Sequence, residues 1–174
     1  MKKLFCLSAV LFIAVILVMA NPVTSGNDRG VKKKKETRWE PNRATEFEFS
    51  KDFPNASAVT WNFGAFVEAS FLDNGVAKTA YYDDDDNLVG TTNEVDVTAL
   101  PEKARDHISK VYPGYTIERV VFFDDNEAND TDMSLFDQSF EDEDNYFPLL
   151  SNGSKQIILK VSPKGKVSFF ENFK

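Results

Sequence analysis

Cysteine and histidine are nearly missing from this 174-residue chain: there is one of each. A single cysteine excludes an intramolecular disulfide, a cysteine-rich zinc site and an iron–sulfur cluster, and a single histidine excludes any multi-histidine metal centre. Basic residues are also in the minority. Twenty Lys and Arg stand against 28 Asp and Glu, for a formal charge of −8, which argues against nucleic acid as the main partner. No Gly-x-Ser-x-Gly motif occurs, and no serine or cysteine nucleophile pattern lies near His107, so the reading is of a protein that is not an enzyme. Acids are abundant enough to supply a carboxylate pair, but nothing in the sequence singles one out. No cofactor is expected. What is plentiful is phenylalanine. Sixteen of them, within a 13 % aromatic content, supply a real core and exclude wholesale disorder.

The first twenty residues read as an address. Lys2 and Lys3 form a positive start, Leu4 to Ala20 is apolar apart from Ser8, and Val18-Met19-Ala20 places small residues at a cleavage site. The expectation is a signal peptide over 1–20 and a periplasmic or secreted mature protein without a membrane span. An uncleaved anchor is the alternative, because 17 apolar residues approach the length of a span. Residues 21–43 carry Arg29, Lys32 to Lys35 and Arg38 without hydrophobic periodicity, and read as a flexible basic linker.

The rest of the chain reads as an internal repeat. Phe49-Ser50-Lys51-Asp52-Phe53-Pro54-Asn55 matches Ile108-Ser109-Lys110-Val111-Tyr112-Pro113-Gly114, with the template apolar-Ser-Lys-x-aromatic-Pro-turn. Phe71-Leu72-Asp73-Asn74-Gly75 resembles Leu149-Leu150-Ser151-Asn152-Gly153 at a longer offset, so the second half holds about 19 extra residues. Leu100, Ala104, Ile108, Val111 and Tyr112 share one face of a helix, with Thr98 or Asp96 as its cap. A matching helix ends at Phe53, before Pro54. Strands follow each helix: 59–63, 65–72, 76–83 and 88–97 in the first half, and 116–123, 146–150, 155–161 and 166–172 in the second. Asn74-Gly75 is a two-residue hairpin signal, and Asn152-Gly153 and Pro163-Lys164-Gly165 mark further turns. The expected fold is α+β, a tandem helix-plus-four-antiparallel-strand repeat with halves at about 44–97 and 98–174. Both helices would cover one face of a shared sheet, and the other face would meet solvent or a partner.

The run Phe-Pro-Asn-Ala-x-x-Val-x-Trp from Phe53 to Trp61, then Phe66-Val67-Glu68-Ala69, Ala80-Tyr81-Tyr82-Asp83, and Leu100-Pro101 before a helix ending Tyr112-Pro113, resembles the PepSY-like proteins of bacterial envelopes. Those are described as similar to β-lactamase-inhibitor protein. The resemblance covers about 44–174. It implies an exported, non-enzymatic protein of paired helix-plus-four-strand units, with a protein partner in the envelope or outside the cell and an inhibitory role inferred from the fold. One departure stands out: Asp83-Asp84-Asp85-Asp86-Asn87-Leu88 has Asp86 where the family's turn has glycine. Asn87 is then expected to take the positive φ.

The extra residues coincide with an acidic insertion over 124–144. It holds Asp124, Asp125, Glu127, Asp130, Asp132, Asp137, Glu141, Asp142, Glu143 and Asp144, interrupted by Met133, Leu135, Phe136 and Phe140. Three readings apply: a solvated loop, a partner-binding loop anchored by Phe136 and Phe140, and a calcium-responsive segment. The first is the leading expectation. Asp83, Asp85 and Asn87 also resemble the start of a calcium loop, but no glutamate closes the pattern. For a partner-binding face, the candidates are Phe66, Glu68, Tyr82, Phe136, Phe140 and Phe170, on the uncovered sheet face and the insertion. Asn55, Asn129 and Asn152 head Asn-x-Ser/Thr triplets.

Overall fold

The computed structural model describes residues 40–173. The leader and all but the last residues of the basic linker lie outside the described residues. Pro41 is buried and Asn42 and Arg43 open the first helix, so the end of the expected linker belongs to the folded unit. Asn42 caps helix α1 (Arg43–Asp52): its Oδ1 accepts from the amides of Ala44 and Thr45 at 2.7 and 3.0 Å. Glu46 in the first turn and Lys51 in the last suit the helix dipole, and Pro54 forbids continuation.

Four strands follow, β1 (Ala56–Phe63), β2 (Val67–Asp73), β3 (Val76–Tyr82) and β4 (Leu88–Val95). A 3₁₀ turn, Val97–Ala99, precedes helix α2 (Glu102–Val111). Asp96 caps that turn, not the helix; α2 starts after Pro101 without a side-chain cap. Then come β5 (Thr116–Asp125), a short hairpin of β6 (Met133–Leu135) and β7 (Gln138–Phe140), β8 (Asn145–Ser151), β9 (Gln156–Val161) and β10 (Val167–Phe173). Eight strands form one antiparallel sheet in the order β1-β2-β3-β4-β5-β8-β9-β10, and β6 and β7 stand apart as a two-stranded ribbon. Each helix is thus followed by four sheet strands in sequence order, and six residue pairs between β4 and β5 join them into one layer.

Register decides which residues share a face. Ala69 pairs with Ala80, Ala80 with Thr91, and Thr91 with Asp124, so Ala69 and Ala80 lie on the same side as Val120, four residues before Asp124. Phe49 of α1 packs on Ala69, Phe71, Ala80 and Tyr82; Ala104 and Ile108 of α2 pack on Val120, Leu150, Ile157 and Leu159. Both helices therefore cover one face, as expected. Their ends are built alike: the amide of Phe53 donates to the Phe49 carbonyl, and that of Tyr112 to Ile108, each at 2.9 Å. Burying an aromatic such as Phe49 contributes about 1.5–3 kcal/mol.

The opposite face departs from expectation. Its second half is not open, because the acidic insertion is not a solvated loop. Met133, Leu135, Phe136 and Phe140 of the β6–β7 hairpin pack on Phe123, Phe147, Leu149 and Ile158, with Met133 and Phe140 buried. Amphipathic alternation wins over net charge: Met133, Leu135 and Phe140 turn to the sheet, and Asp132 and Asp137 to water. Gly90 of β4 lies under this cluster. A Cβ there would come within 2.6 Å of the Phe123 ring and 2.7 Å of the Asp124 carbonyl, so the position requires a residue without a side chain.

Candidate functional site

The uncovered part of the second face belongs to β1–β4. Thr60, Ser70, Thr79 and Thr92 face one another across those four strands, one register row. The next row holds Asn62, Glu68, Tyr81 and Gly90. The Ser70 and Thr79 hydroxyls lie 3.0 Å apart and those of Tyr81 and Thr92 3.1 Å apart; the Asn62 amide donates to Glu68 at 3.0 Å. Phe66 stands edge-on to Tyr81, with ring centroids 6.3 Å apart. Burial and, opposing it, the Thr92 hydrogen bond act on the Tyr81 phenol, and the net effect is to raise its pKa. The surface carries Glu68 near its centre and Glu94 on β4, and is rich in groups that both donate and accept.

The six expected face residues divide. Phe66 and Glu68 are half-buried and lie on this surface. Tyr82 does not: it is fully buried beneath α1, and its hydroxyl donates to Asp52 at 3.1 Å. Register explains the correction, because Tyr82 pairs with Val67, which faces the helix; its neighbour Tyr81 takes the outward place. Burial foremost, together with the Asp52 carboxylate, holds the Tyr82 phenol in its neutral form. Phe140 is also buried, 5.3 Å from the Phe123 ring and 5.0 Å from that of Phe147, and belongs to the core. Phe136 and Phe170 are half-buried around the same cluster: Phe136 lies 6.2 Å from Phe147 and 6.4 Å from Phe173, and Phe170 4.9 Å from Phe147. Tyr81 and Phe66 thus belong to the same cluster as Phe136, Phe140 and Phe170, and Glu68 stands beside it. The sequence reading missed Tyr81 and the hydroxyl row. The two-residue spacing of Glu68 and Ser70, and of Thr79 and Tyr81, carried the signal once the pairing was known.

The acidic turn after β3 is structural. Asp83 Oδ1 accepts from the amides of Asp85 and Asn87 at 3.0 and 2.9 Å, and Oδ2 accepts from Asn129 at 2.9 Å. Asp86, and not Asn87, takes the positive φ, at 64°. Its carboxylate accepts from Asn42 at 2.8 Å and from the Thr45 hydroxyl, tying the turn to the start of α1. An aspartate stands where glycine was expected because it supplies that tie. Asn129 is buried, its amide engaged by Asp83 and the Leu88 carbonyl, which leaves no room for a glycan. Among the described residues, no three His, Cys, Asp or Glu side chains converge as a metal ligand set. His107 is exposed on α2. No described helix is long and apolar enough to cross a membrane.

Comparison with solved structures places this fold. The chain is similar to a BLIP-like protein from Bacteroides fragilis, with 20% identity, a TM-score of 0.58, and coverage of 77% of this chain and 87% of the other. It is also similar to a DUF2874 family protein from Bacteroides uniformis (15% identity, TM-score 0.62, 77% and 90% covered). A third structure, from Bacteroides eggerthii and provisionally assigned to the periplasm, matches at 14% identity and a TM-score of 0.62 over 77% and 90% of the two chains. The eight-stranded α+β architecture is therefore the BLIP-like fold. No family model matches the sequence, and no curated protein does.

Proposed function

We propose that this chain is an exported, non-enzymatic binding module of the periplasm or the cell exterior, acting on a protein partner. The observation that carries this reading is the asymmetry of the sheet: one face is sealed by two helices, while on the other β1–β3 present Thr60 and Ser70 exposed and Phe66, Glu68 and Thr79 half-exposed, beside the buried Tyr81 and Thr92. Such a surface offers many hydrogen bonds and aromatic edge contacts, and no cleft to enclose a small molecule. The likeness to a BLIP-like protein and to one provisionally assigned to the periplasm supports the same reading, as does the leader-like start. Within it, the finer proposal is inhibition of a secreted or periplasmic enzyme by occlusion, without covalent chemistry. The PepSY-like signatures and the seven-position match between Phe49–Asn55 and Ile108–Gly114 support an origin by duplication of one helix-plus-four-strand unit.

The test is cross-linking in envelope extract with the native chain and with Thr79→Arg, which places a bulky charge in the hydroxyl row. A partner captured by the native chain and lost with Thr79→Arg is the expected result. Equal capture by both moves the contact away from this face, and no capture at all removes the binding reading.

A further inference from the structure

Two Asn-Gly pairs occur in the chain, Asn74-Gly75 between β2 and β3 and Asn152-Gly153 between β8 and β9. Such a pair can modify itself: the glycine nitrogen attacks the side-chain carbonyl carbon of the asparagine, and glycine has no side chain to obstruct the approach. Both pairs are exposed, and at both glycines nothing lies within 4 Å of where a Cβ would stand. Hydrogen bonding separates them. Asn152 Oδ1 accepts from the amides of Ser154 and Lys155 at 3.1 and 2.9 Å and from the Ser154 hydroxyl at 3.0 Å. The Gly153 amide, whose nitrogen would attack, donates to the Ser151 hydroxyl at 3.2 Å, and the Asn152 amide donates to the Lys155 carbonyl at 3.1 Å. This Asx turn holds the side-chain carbonyl on residues beyond the glycine. Asn74 makes one side-chain bond, from Nδ2 to Asp73 Oδ1 at 2.9 Å, and Asp73 is itself held by Lys78 at 2.9 Å. That bond engages the nitrogen that leaves, not the carbonyl that is attacked. Among the described residues, Asn74 Oδ1 and the Gly75 amide take part in no hydrogen bond.

We propose that Asn74-Gly75 is a site of spontaneous covalent modification, and that Asn152-Gly153 is shielded from the same reaction by its turn. The Gly75 nitrogen gives its proton to solvent base and bonds to Asn74 Cγ. The Cγ–Nδ2 bond breaks, ammonia leaves, and a five-membered succinimide closes. Water then opens the ring at either carbonyl, giving aspartate or isoaspartate, with no oxidant or reductant involved. Closure needs rotation of the asparagine side chain and of the peptide that follows it. At Asn74 the side-chain bond that must be given up is the one to Asp73; at Asn152 the three bonds to Oδ1 and the one from the Gly153 amide stand in the way. Aspartate adds a carboxylate beside Asp73. Isoaspartate carries the main chain through the former side-chain carbon and so adds one backbone atom to a turn closed by the Asp73–Val76 pair. The reaction is independent of whether the sheet surface binds a partner.

Tandem mass spectrometry of tryptic peptides reads both sites at once, because cleavage after Lys51 and Lys78 isolates Asn74, and cleavage after Arg119 and Lys155 isolates Asn152. The intact chain is aged at pH 8 in native buffer and, in parallel, unfolded in guanidinium. In the folded protein Asn74 should convert to aspartate and isoaspartate about fivefold or more faster than Asn152, the effect of hydrogen bonds that only the second site must break. In guanidinium, where both turns are gone, that preference should disappear. The proposal is overturned by a smaller preference in the folded protein, by an Asn74 that stays intact there while both sites convert in guanidinium, or by the same preference persisting in guanidinium, since it would then owe nothing to the turns.

Discussion

Asp86 shows how one side chain reconciles a backbone demand with a tertiary one. Its φ of 64° would suit glycine, yet its carboxylate anchors Asn42 and Thr45 at the start of α1. Asp86→Ala loses that anchor and puts a Cβ in the left-handed region without a compensating polar contact, at a cost of about 2–4 kcal/mol. Asp86→Asn keeps an acceptor and tolerates the same φ, so its cost should stay within about 1 kcal/mol. Urea unfolding of the two variants beside the native chain measures the difference. Tyr82 and Tyr81 make the complementary point. Adjacent residues of a strand face opposite ways, and only the pairing of Tyr82 with Val67 says which one meets α1.

At the scale of elements, the strands and helices follow from local pattern. Asn74-Gly75 forms the expected two-residue turn, with φ of 49° and 85°, and the helices end where Pro54 and Pro113 forbid continuation. The β6–β7 hairpin was not legible in the same way. Its turn residues, Phe136 and Asp137, both take positive φ, at 53° and 63°, where asparagine and glycine are the usual signal. Three-residue strands amid ten acids offer too little periodicity to outweigh composition. Phe136 accepts the unfavourable φ because its ring reaches Phe147 and Phe173. A consequence separates packed hairpin from solvated loop. Phe140→Ala should cost about 3–5 kcal/mol of stability, as large-to-small changes of buried aromatics do. In a solvated segment the same change would stay within about 0.5 kcal/mol. A denaturation midpoint distinguishes the two.

Across the whole molecule, charge is the dominant asymmetry. Residues 40–173 carry 11 basic and 26 acidic side chains, a net charge of −15. Stability should therefore depend on pH in a direction set by its shifted groups. Burial first and the Asp144 charge next raise the Asp124 carboxyl; burial and Asp142 raise Asp125 to about 7. A raised carboxyl keeps its proton in the folded state after the unfolded chain has lost it, so it weakens folding as pH climbs from about 4 to about 7. Asp96, lowered by the Thr98 hydroxyl and amide, and Glu141, lowered by Lys160, act the other way. Their contribution is present above about pH 4 and is lost as pH falls below it. Denaturation midpoints at pH 3, 5 and 8 should peak at pH 5. Asp125→Asn should raise the midpoint at pH 8 more than at pH 5, which differential scanning calorimetry can read directly.

Local chemistry alone determined where elements start and stop, because caps, prolines, turn pairs and alternation act within a few residues of one another. That both helices seal one face was expected from the repeat between the halves, and the register across β3, β4 and β5 is what realises it. Which tyrosine faces outward, why an aspartate holds a glycine position, and where the acidic insertion goes were decided by tertiary structure. Each depends on partners 15 to 46 residues away in the chain, such as Val67 for Tyr82, Thr45 for Asp86 and Asn129 for Asp83. Pairing across such separations is set by the register of the assembled sheet and by the packing of aromatic rings on it, and neither is written in any short stretch of residues.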